Sequence, residues 1–106
     1  MTIELTVTDT GTKRSVRVGE QATVRLPENP TTGYRWQANF DETRLRLIDD
    51  RFDGAPSPRG AGGERVLIFE AVLDGRTTLS LAKRRSWGDG EAIEVFEVEL
   101  GVQPTN

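Results

Sequence analysis

The run 29–34, Asn-Pro-Thr-Thr-Gly-Tyr, places two adjacent hydroxyl side chains at the tip of a stiff loop. Its proline fixes φ and pushes the preceding asparagine toward an extended conformation, while Gly33 permits a positive φ before the chain re-enters a strand. Thr31 and Thr32 are β-branched and have few rotamers, so they lose little entropy against a partner. The run suits hydrogen bonding by a rigid projection; an ordinary Pro-Gly turn is the alternative.

The run 54–63, Gly-Ala-Pro-Ser-Pro-Arg-Gly-Ala-Gly-Gly, is low in apolar content and rich in glycine and proline. By composition it is typical of a mobile surface loop. Its three last glycines, Gly60, Gly62 and Gly63, would also let the backbone lie flat against a partner and pair with it as an added strand edge. No Lys-Ser/Thr pair or helix follows, so the run does not match a phosphate-binding loop.

The run 84–91, Arg-Arg-Ser-Trp-Gly-Asp-Gly-Glu, contains a tryptophan with no evident core position. Trp36 is the expected core tryptophan, because it alternates with polar residues on a strand. Trp87 is expected to be exposed, and exposed tryptophan is typical of the energetic centre of interfaces. We therefore interpret Trp87 as a binding anchor, with incidental exposure as the alternative.

Composition excludes several classes of function. The chain has no Cys and no His, which excludes disulfides, a Cys nucleophile, a Ser-His-Asp triad and His- or Cys-based zinc sites. No convincing carboxylate pair appears, so we predict a protein that is not an enzyme and needs no cofactor or metal. Asp49, Asp50 and Asp53 lack the frame of a helical calcium loop and are interpreted as a solvated acidic turn. The net charge of −3 gives no reason to expect nucleic acid as a partner.

Period-2 alternation of apolar and polar residues dominates the chain and predicts strands. Seven runs show it, at 3–7, 22–26, 34–38, 45–52, 66–73, 79–81 and 96–102, and a further short segment lies at 15–18. Frequent turn signals separate them, including Asp74-Gly75, which predicts a tight hairpin between the fifth and sixth strands. We expect an all-β, immunoglobulin-like antiparallel β-sandwich of about seven strands, forming a single domain over residues 1–106.

The three special runs follow the second, fourth and sixth of these strands. In a sandwich whose strands alternate in direction, loops separated by two strands emerge at the same end, so we expect all three to share one end of the domain. No run reaches the roughly 18 apolar residues that a membrane span needs, and no leader pattern is evident. A cytosolic protein, or one whose leader has been removed, is expected; the sequence leaves the two open.

Taken in order, these runs resemble the hallmark loops of the chagasin family, inhibitors of papain-like cysteine peptidases found in protozoa and bacteria. The run 29–34 matches the first loop completely, and the run 60–63, Gly-Ala-Gly-Gly, matches the Gly-x-Gly-Gly second loop. The run 85–87 matches the Arg-Pro-Trp third loop except at Ser86, which should make that loop less rigid. Lys83 stands where the family often has an aromatic residue. The resemblance covers residues from about 3 to 102.

The resemblance implies reversible, tight-binding inhibition by three loops that enter the protease cleft as a wedge. Thr31 and Thr32 would lie over the catalytic Cys–His pair, the second loop would pair through its backbone on the non-primed side, and Trp87 would pack on an aromatic surface on the primed side. The partner would be a cathepsin L-like or similar papain-like protease, bound by a monomer. The implied protease-binding residues are Asn29, Pro30, Thr31, Thr32, Gly33, Tyr34, Gly60, Ala61, Gly62, Gly63, Arg85, Ser86 and Trp87.

The alternative from a different class is an adhesion or carbohydrate-binding immunoglobulin-like module that uses Trp87 and Tyr34 as stacking platforms. Sugar binders usually present several aromatic side chains on one face, whereas most aromatic residues of this chain fall in the core phase of strands. A structural domain of a larger assembly is a further alternative.

Overall fold

The structure, a computed structural model, describes residues 2–29, 32–54, 62–85 and 91–105. These ranges contain eight strands and one short 3₁₀ helix, Val7–Asp9, and in them no helix is long and apolar enough to cross a membrane. The strands are β1 (Thr2–Thr6), β2 (Lys13–Arg17), β3 (Gln21–Glu28), β4 (Tyr34–Asn39), β5 (Leu45–Gly54), β6 (Gly63–Ala71), β7 (Gly75–Arg85) and β8 (Glu94–Gln103).

The strands form two four-stranded sheets, with the order β1-β3-β6-β5 in the first sheet and β2-β8-β7-β4 in the second. The predicted all-β sandwich is confirmed, with eight strands instead of about seven. The additional strand is β2, of which only Val16 is buried, so its alternation is weak in the sequence.

Two strand pairs, β1–β3 and β2–β8, are parallel, and the remaining pairs are antiparallel. The chain leaves the first sheet after β1, forms β2 in the second sheet and returns for β3. β1 and β3 therefore run in the same direction, as a connection through another layer permits. The expected antiparallel sandwich thus contains two parallel edge pairs.

The core lies between the sheets and is filled by the inward-facing residues of both. Trp36 is 4% exposed, which confirms it as the core tryptophan. Phe40 packs edge-on against Phe69, with ring centroids 5.0 Å apart. Since the chain has no Cys and so no disulfides, core packing holds the two sheets against each other, and backbone hydrogen bonds hold the strands within each sheet. The buried apolar residues of this core are Leu5, Val16, Ala22, Val24, Leu26, Trp36, Leu45, Leu67, Phe69, Ala71, Leu79, Leu81, Phe96, Val98, Leu100 and Val102.

The predicted hairpin at Asp74-Gly75 is wrong. β6 belongs to the first sheet and β7 to the second, so the residues between them carry the chain across the sandwich instead of pairing the two strands. An Asp-Gly pair indicates a tight change of direction, but it does not determine which strand pairs with which. Here both hydrogen-bonding edges of β7 are already paired, one with β4 and the other with β8.

Candidate functional site

In the first sheet, the flanks of the first two loops lie on three neighbouring strands. Glu28, at the end of β3, faces Gly63 at the start of β6. Gly63 in turn faces Gly54, the last residue of β5. The residue before the first loop and both residues that bound the second loop are therefore side by side.

In the second sheet, the other flank of the first loop lies beside the third loop. Tyr34, the first residue of β4, faces Arg85, the last residue of β7. On the other side of β7, Lys83 faces Glu94, and the Ile93 amide donates a 2.9 Å hydrogen bond to the Lys83 carbonyl oxygen. Both flanks of the third loop are thus held together next to β4.

Trp36 joins the two sheets at this end. Its backbone amide donates to Glu28 Oε1 at 2.9 Å, and its indole Nε1 donates to the Pro27 carbonyl oxygen at 2.8 Å. Both acceptors lie at the end of β3, directly before the first loop. The described flanks of all three loops therefore lie at one end of the sandwich.

The second loop touches the first loop through Gly62. This residue has φ +85°, a conformation that L side chains rarely adopt. A Cβ built on it would lie 3.0 Å from the Glu28 carbonyl oxygen and 3.1 Å from Asn29 Cβ. Glycine is therefore required at this position both by its backbone conformation and by the close approach of the first loop.

Hydrogen bonds within the first loop engage the hydroxyl of Thr32. Its Oγ1 donates to the Asn29 carbonyl oxygen at 2.8 Å and accepts from the Tyr34 amide at 3.3 Å. The Thr32 amide also donates to the same Asn29 oxygen, at 3.1 Å. The Thr32 side chain braces the loop internally, although it is exposed to solvent.

Two side chains of the second sheet pack on aromatic rings at this end. The Arg85 guanidinium lies 5.3 Å from the ring centroid of Tyr34, and Lys83 Nζ lies 5.6 Å from that of Trp36. The Lys83 side chain is only 16% exposed, and its ammonium lies 3.9 Å from a Glu94 carboxylate oxygen. The Lys83 ammonium thus lies over the ring of the core tryptophan.

A buried ion pair lies beside the described flanks of the first and second loops. The Glu28 side chain is 1% exposed, and its Oε2 lies 2.8 Å from one terminal nitrogen of Arg65 and 3.1 Å from Nε. The other terminal nitrogen of Arg65 bonds to Asp50 at 3.1 Å. Burial acts to lower the pKa of Arg65, but the hydrogen bond and charge of Glu28, followed by those of Asp50, hold that pKa above its usual value.

Sequence reasoning missed Glu28 and Arg65, because Glu and Arg are usually exposed. A signal was present: Glu28 continues the inward phase of Ala22, Val24 and Leu26, and Arg65 continues that of Leu67, Phe69 and Ala71. Charged residues that continue a buried alternation at a strand end are candidates for a buried pair.

The acidic residues interpreted as a solvated turn lie instead within β5. Asp49 and Asp53 form ion pairs with Arg51, and Asp50 pairs with Arg65. The turn interpretation was wrong because alternating charges on an edge strand resemble a polar loop in composition. Among the described residues, no three acidic side chains are grouped to hold a metal ion.

The structure brings together the implied site residues that it describes, namely Asn29, Thr32, Gly33, Tyr34, Gly62, Gly63 and Arg85. The other implied residues, Pro30, Thr31, Gly60, Ala61, Ser86 and Trp87, lie outside the described residues.

Comparisons with known proteins agree with this architecture. Residues 15–100 match the family model described as Chagasin family peptidase inhibitor I42. Chagasin from Trypanosoma cruzi is 28% identical over 107 residues, covering 94% of this chain and 97% of chagasin.

Two solved structures share the fold. The cysteine protease inhibitor EhICP2 from Entamoeba histolytica superposes with a TM-score of 0.87 at 23% identity, covering 96% of each chain. PbICP-C, solved in complex with falcipain-2, superposes with a TM-score of 0.65 at 15% identity, covering 97% of this chain and 92% of its own. With a family match over most of its length, the chain belongs to the chagasin family, inhibitors of papain-like cysteine proteases, and is an inhibitor and not an enzyme.

Proposed function

We propose that this protein inhibits its protease reversibly, by inserting the three loops at one end of the sandwich into the active-site cleft. The observation that supports the proposal is the convergence of the loop flanks. Glu28 and Gly63 are paired in one sheet, Tyr34 and Arg85 in the other, and Trp36 bonds across the gap. Loops held at both flanks by paired strands lose less entropy on binding than free ones.

Within the first loop, we assign the contact with the catalytic Cys–His pair to Thr31. The Thr32 hydroxyl is committed to Asn29 and to the Tyr34 amide, so its bonds within the loop would have to break before it could serve a partner. A papain-like site holds a thiolate–imidazolium pair. A neutral hydroxyl can hydrogen-bond to that pair and, unlike a peptide carbonyl, offers the thiolate no carbon to attack.

The second loop supplies main-chain groups to the non-primed side of the cleft. Gly62 lies directly before β6 and against Glu28 and Asn29, so the second loop enters β6 beside the first loop. A glycine-rich backbone can donate and accept hydrogen bonds at close range, because no side chain holds the partner away. Trp87 in the third loop packs on an aromatic surface on the primed side.

The partner that fits this proposal is a cathepsin L-like or similar papain-like enzyme, bound by one copy of this chain. PbICP-C, which shares the fold, was solved in complex with falcipain-2. A loop end of this size covers about 800 Å² per partner, the standard class of protein interface. The covered cleft needs only one inhibitor molecule.

The test is a titration of the protein into active papain and a cathepsin L-like enzyme, with peptide hydrolysis as the readout. We expect linear loss of activity to a one-to-one end point, recovery on dilution, and an intact inhibitor chain in mass spectrometry after long incubation. Size-exclusion chromatography should give a monomer alone and a one-to-one complex with enzyme. Cleavage of the chain without inhibition, or no effect on several such enzymes, would exclude the proposal and favour a carbohydrate-binding or adhesion module.

A further inference from the structure

Polar and charged contacts run beside the described flanks of all three loops and connect the two sheets. On the first sheet, Arg65 bonds to Glu28. Glu28 then accepts a hydrogen bond from the Trp36 amide of the second sheet, and the Lys83 ammonium lies over the Trp36 ring. We call these four residues, Arg65, Glu28, Trp36 and Lys83, the loop-end tie.

Glu28 is the member of the tie that contacts both Trp36 of the second sheet and Arg65 of β6. Its backbone pairs with Gly63 after the second loop, and its carbonyl oxygen lies against Gly62. One carboxylate oxygen bonds to Trp36 and the other to Arg65. A single side chain thereby contacts a residue that follows the first loop and one that follows the second.

The burial of the Glu28 carboxylate indicates a role in fixing the geometry of the loop end, beyond any contribution to the free energy of unfolding. A buried ion pair recovers its desolvation cost only with good geometry and satisfied hydrogen bonds, and apolar replacements are often as stable. Here both carboxylate oxygens of Glu28 have partners, and the Arg65 side chain is 14% exposed. Such a pair fixes the relative position of the two side chains, because charge-assisted hydrogen bonds depend strongly on the distance and direction between donor and acceptor.

We propose that Glu28 is a positioning residue, which holds the first and second loops in register with each other and with the second sheet before the protease arrives. The proposal rests on the proposed function, since its consequence is faster and tighter binding by loops that are already aligned. If only a fraction of free molecules has aligned loops, the apparent association constant equals the intrinsic one multiplied by that fraction.

The test compares Glu28→Gln with Glu70→Gln. Glutamine at position 28 is nearly the same size and can still accept the Trp36 amide, but it presents no charge to Arg65. Glu70 pairs with Arg46 on the same sheet, at the opposite end of β6, so its substitution removes an Arg–carboxylate pair far from the loops. Inhibition and association rate constants against papain, and thermal unfolding, are measured for both variants and the parent.

We expect Glu28→Gln to weaken inhibition about tenfold, equivalent to about 1.4 kcal/mol, with a reduced association rate constant and a protein fully folded at the assay temperature. Glu70→Gln should inhibit like the parent. Because Glu28 is proposed to act through Arg65, adding Arg65→Gln to Glu28→Gln should weaken inhibition little further. An inhibition constant within twofold of the parent for Glu28→Gln, or equal losses for the two variants, would overturn the proposal.

A second measurement separates failure of this inference from failure of the proposed function. In ¹⁵N NMR spectra of the free protein, Glu28→Gln should shift or broaden the amide signals of Thr32, Gly33 and Gly62, and should speed hydrogen exchange at the Trp36 amide. Glu70→Gln should change none of these. If the parent inhibits no papain-like enzyme, these spectra still decide the positioning role. If Glu28→Gln does not fold, Arg65→Lys, which keeps the charge but loses the two-pronged contact, takes its place in both measurements.

Discussion

A side chain at position 62 would be disfavoured for two reasons, the left-handed backbone conformation of this residue and its close contact with the first loop. The two free-energy costs can be measured separately. Gly11 has nearly the same backbone conformation, φ +82° against +85° for Gly62, but a Cβ there would meet nothing within 4 Å. Replacing each glycine by alanine should cost about 1–2 kcal/mol for the left-handed conformation alone. Any additional cost at position 62 reports the contact with Glu28 and Asn29.

We therefore predict that Gly62→Ala lowers the free energy of unfolding by at least about 1 kcal/mol more than Gly11→Ala does. Urea denaturation of both variants measures the difference. Gly62→Ala should also weaken protease inhibition, because the second loop must move away from the first, whereas Gly11→Ala should not. Equal losses in the free energy of unfolding for the two substitutions would show that the first loop can move away from a Cβ at position 62 without a free-energy cost.

The two tryptophans of the chain are predicted to serve different purposes. Trp36 is buried and bonds to Pro27, whereas Trp87 is assigned to the protease. Trp87→Ala should cost roughly 2 kcal/mol of binding free energy, about a thirtyfold rise in the inhibition constant, as for a central aromatic anchor. Its free energy of unfolding should stay close to that of the parent. An inhibition constant within twofold of the parent value would refute the anchoring role.

At the scale of the secondary-structure elements, the turn before β5 contains a carboxyl group, that of Asp41, whose titration can be measured. Asp41 accepts hydrogen bonds from the hydroxyl and the amide of Thr43, at 2.6 and 2.9 Å, and one from Arg44 at 3.0 Å. The Thr43 hydroxyl, then the Thr43 amide and Arg44, hold the pKa of Asp41 below its usual value. A carboxylate with a lowered pKa stabilises the folded state above its usual pKa, and that contribution disappears as the pH falls through the lowered value.

We predict that Asp41→Asn is less stable than the parent at neutral pH and that the difference shrinks as acid protonates Asp41 in the parent. Thermal unfolding of both proteins across a pH series measures it. Thr43→Val, which removes the hydroxyl donor, should raise the pKa of Asp41 toward its usual value in an NMR titration of the carboxyl carbon. A difference in stability that is constant with pH would contradict the assignment.

The elements also show what the sequence can and cannot determine. Alternation located the strands because each buries one face, and the number of strands between the loops predicted that all three share one end. Pairing depends on which layer the chain enters next, and no local pattern encodes that choice. The two parallel pairs and the crossing at Asp74-Gly75 were therefore missed. The ion pair of Glu28 and Arg65 was missed although each residue continues a buried alternation, because their pairing depends on two strands that meet only in the folded molecule.

At the scale of the whole molecule, neither sheet has a core of its own. The inward faces of β3 and β6 pack against those of β7 and β8 in one cluster of buried residues. β2 and β8 pair although they lie near opposite ends of the chain, so part of the structure depends on contacts between residues far apart in the sequence. The proposal of a single domain over residues 1–106 follows from this shared core.

We accordingly predict one cooperative unfolding transition for the protein. In the Trp87→Ala variant, Trp36 is the remaining tryptophan of the chain, and it lies between the sheets at the loop end. Its fluorescence and the far-ultraviolet circular dichroism of the strands should therefore change at the same urea concentration, because loss of either sheet exposes the shared core. Separate midpoints for the two signals would mean that the loop end opens before the sandwich does, and the three loops would then lack the rigid base on which cleft occlusion depends.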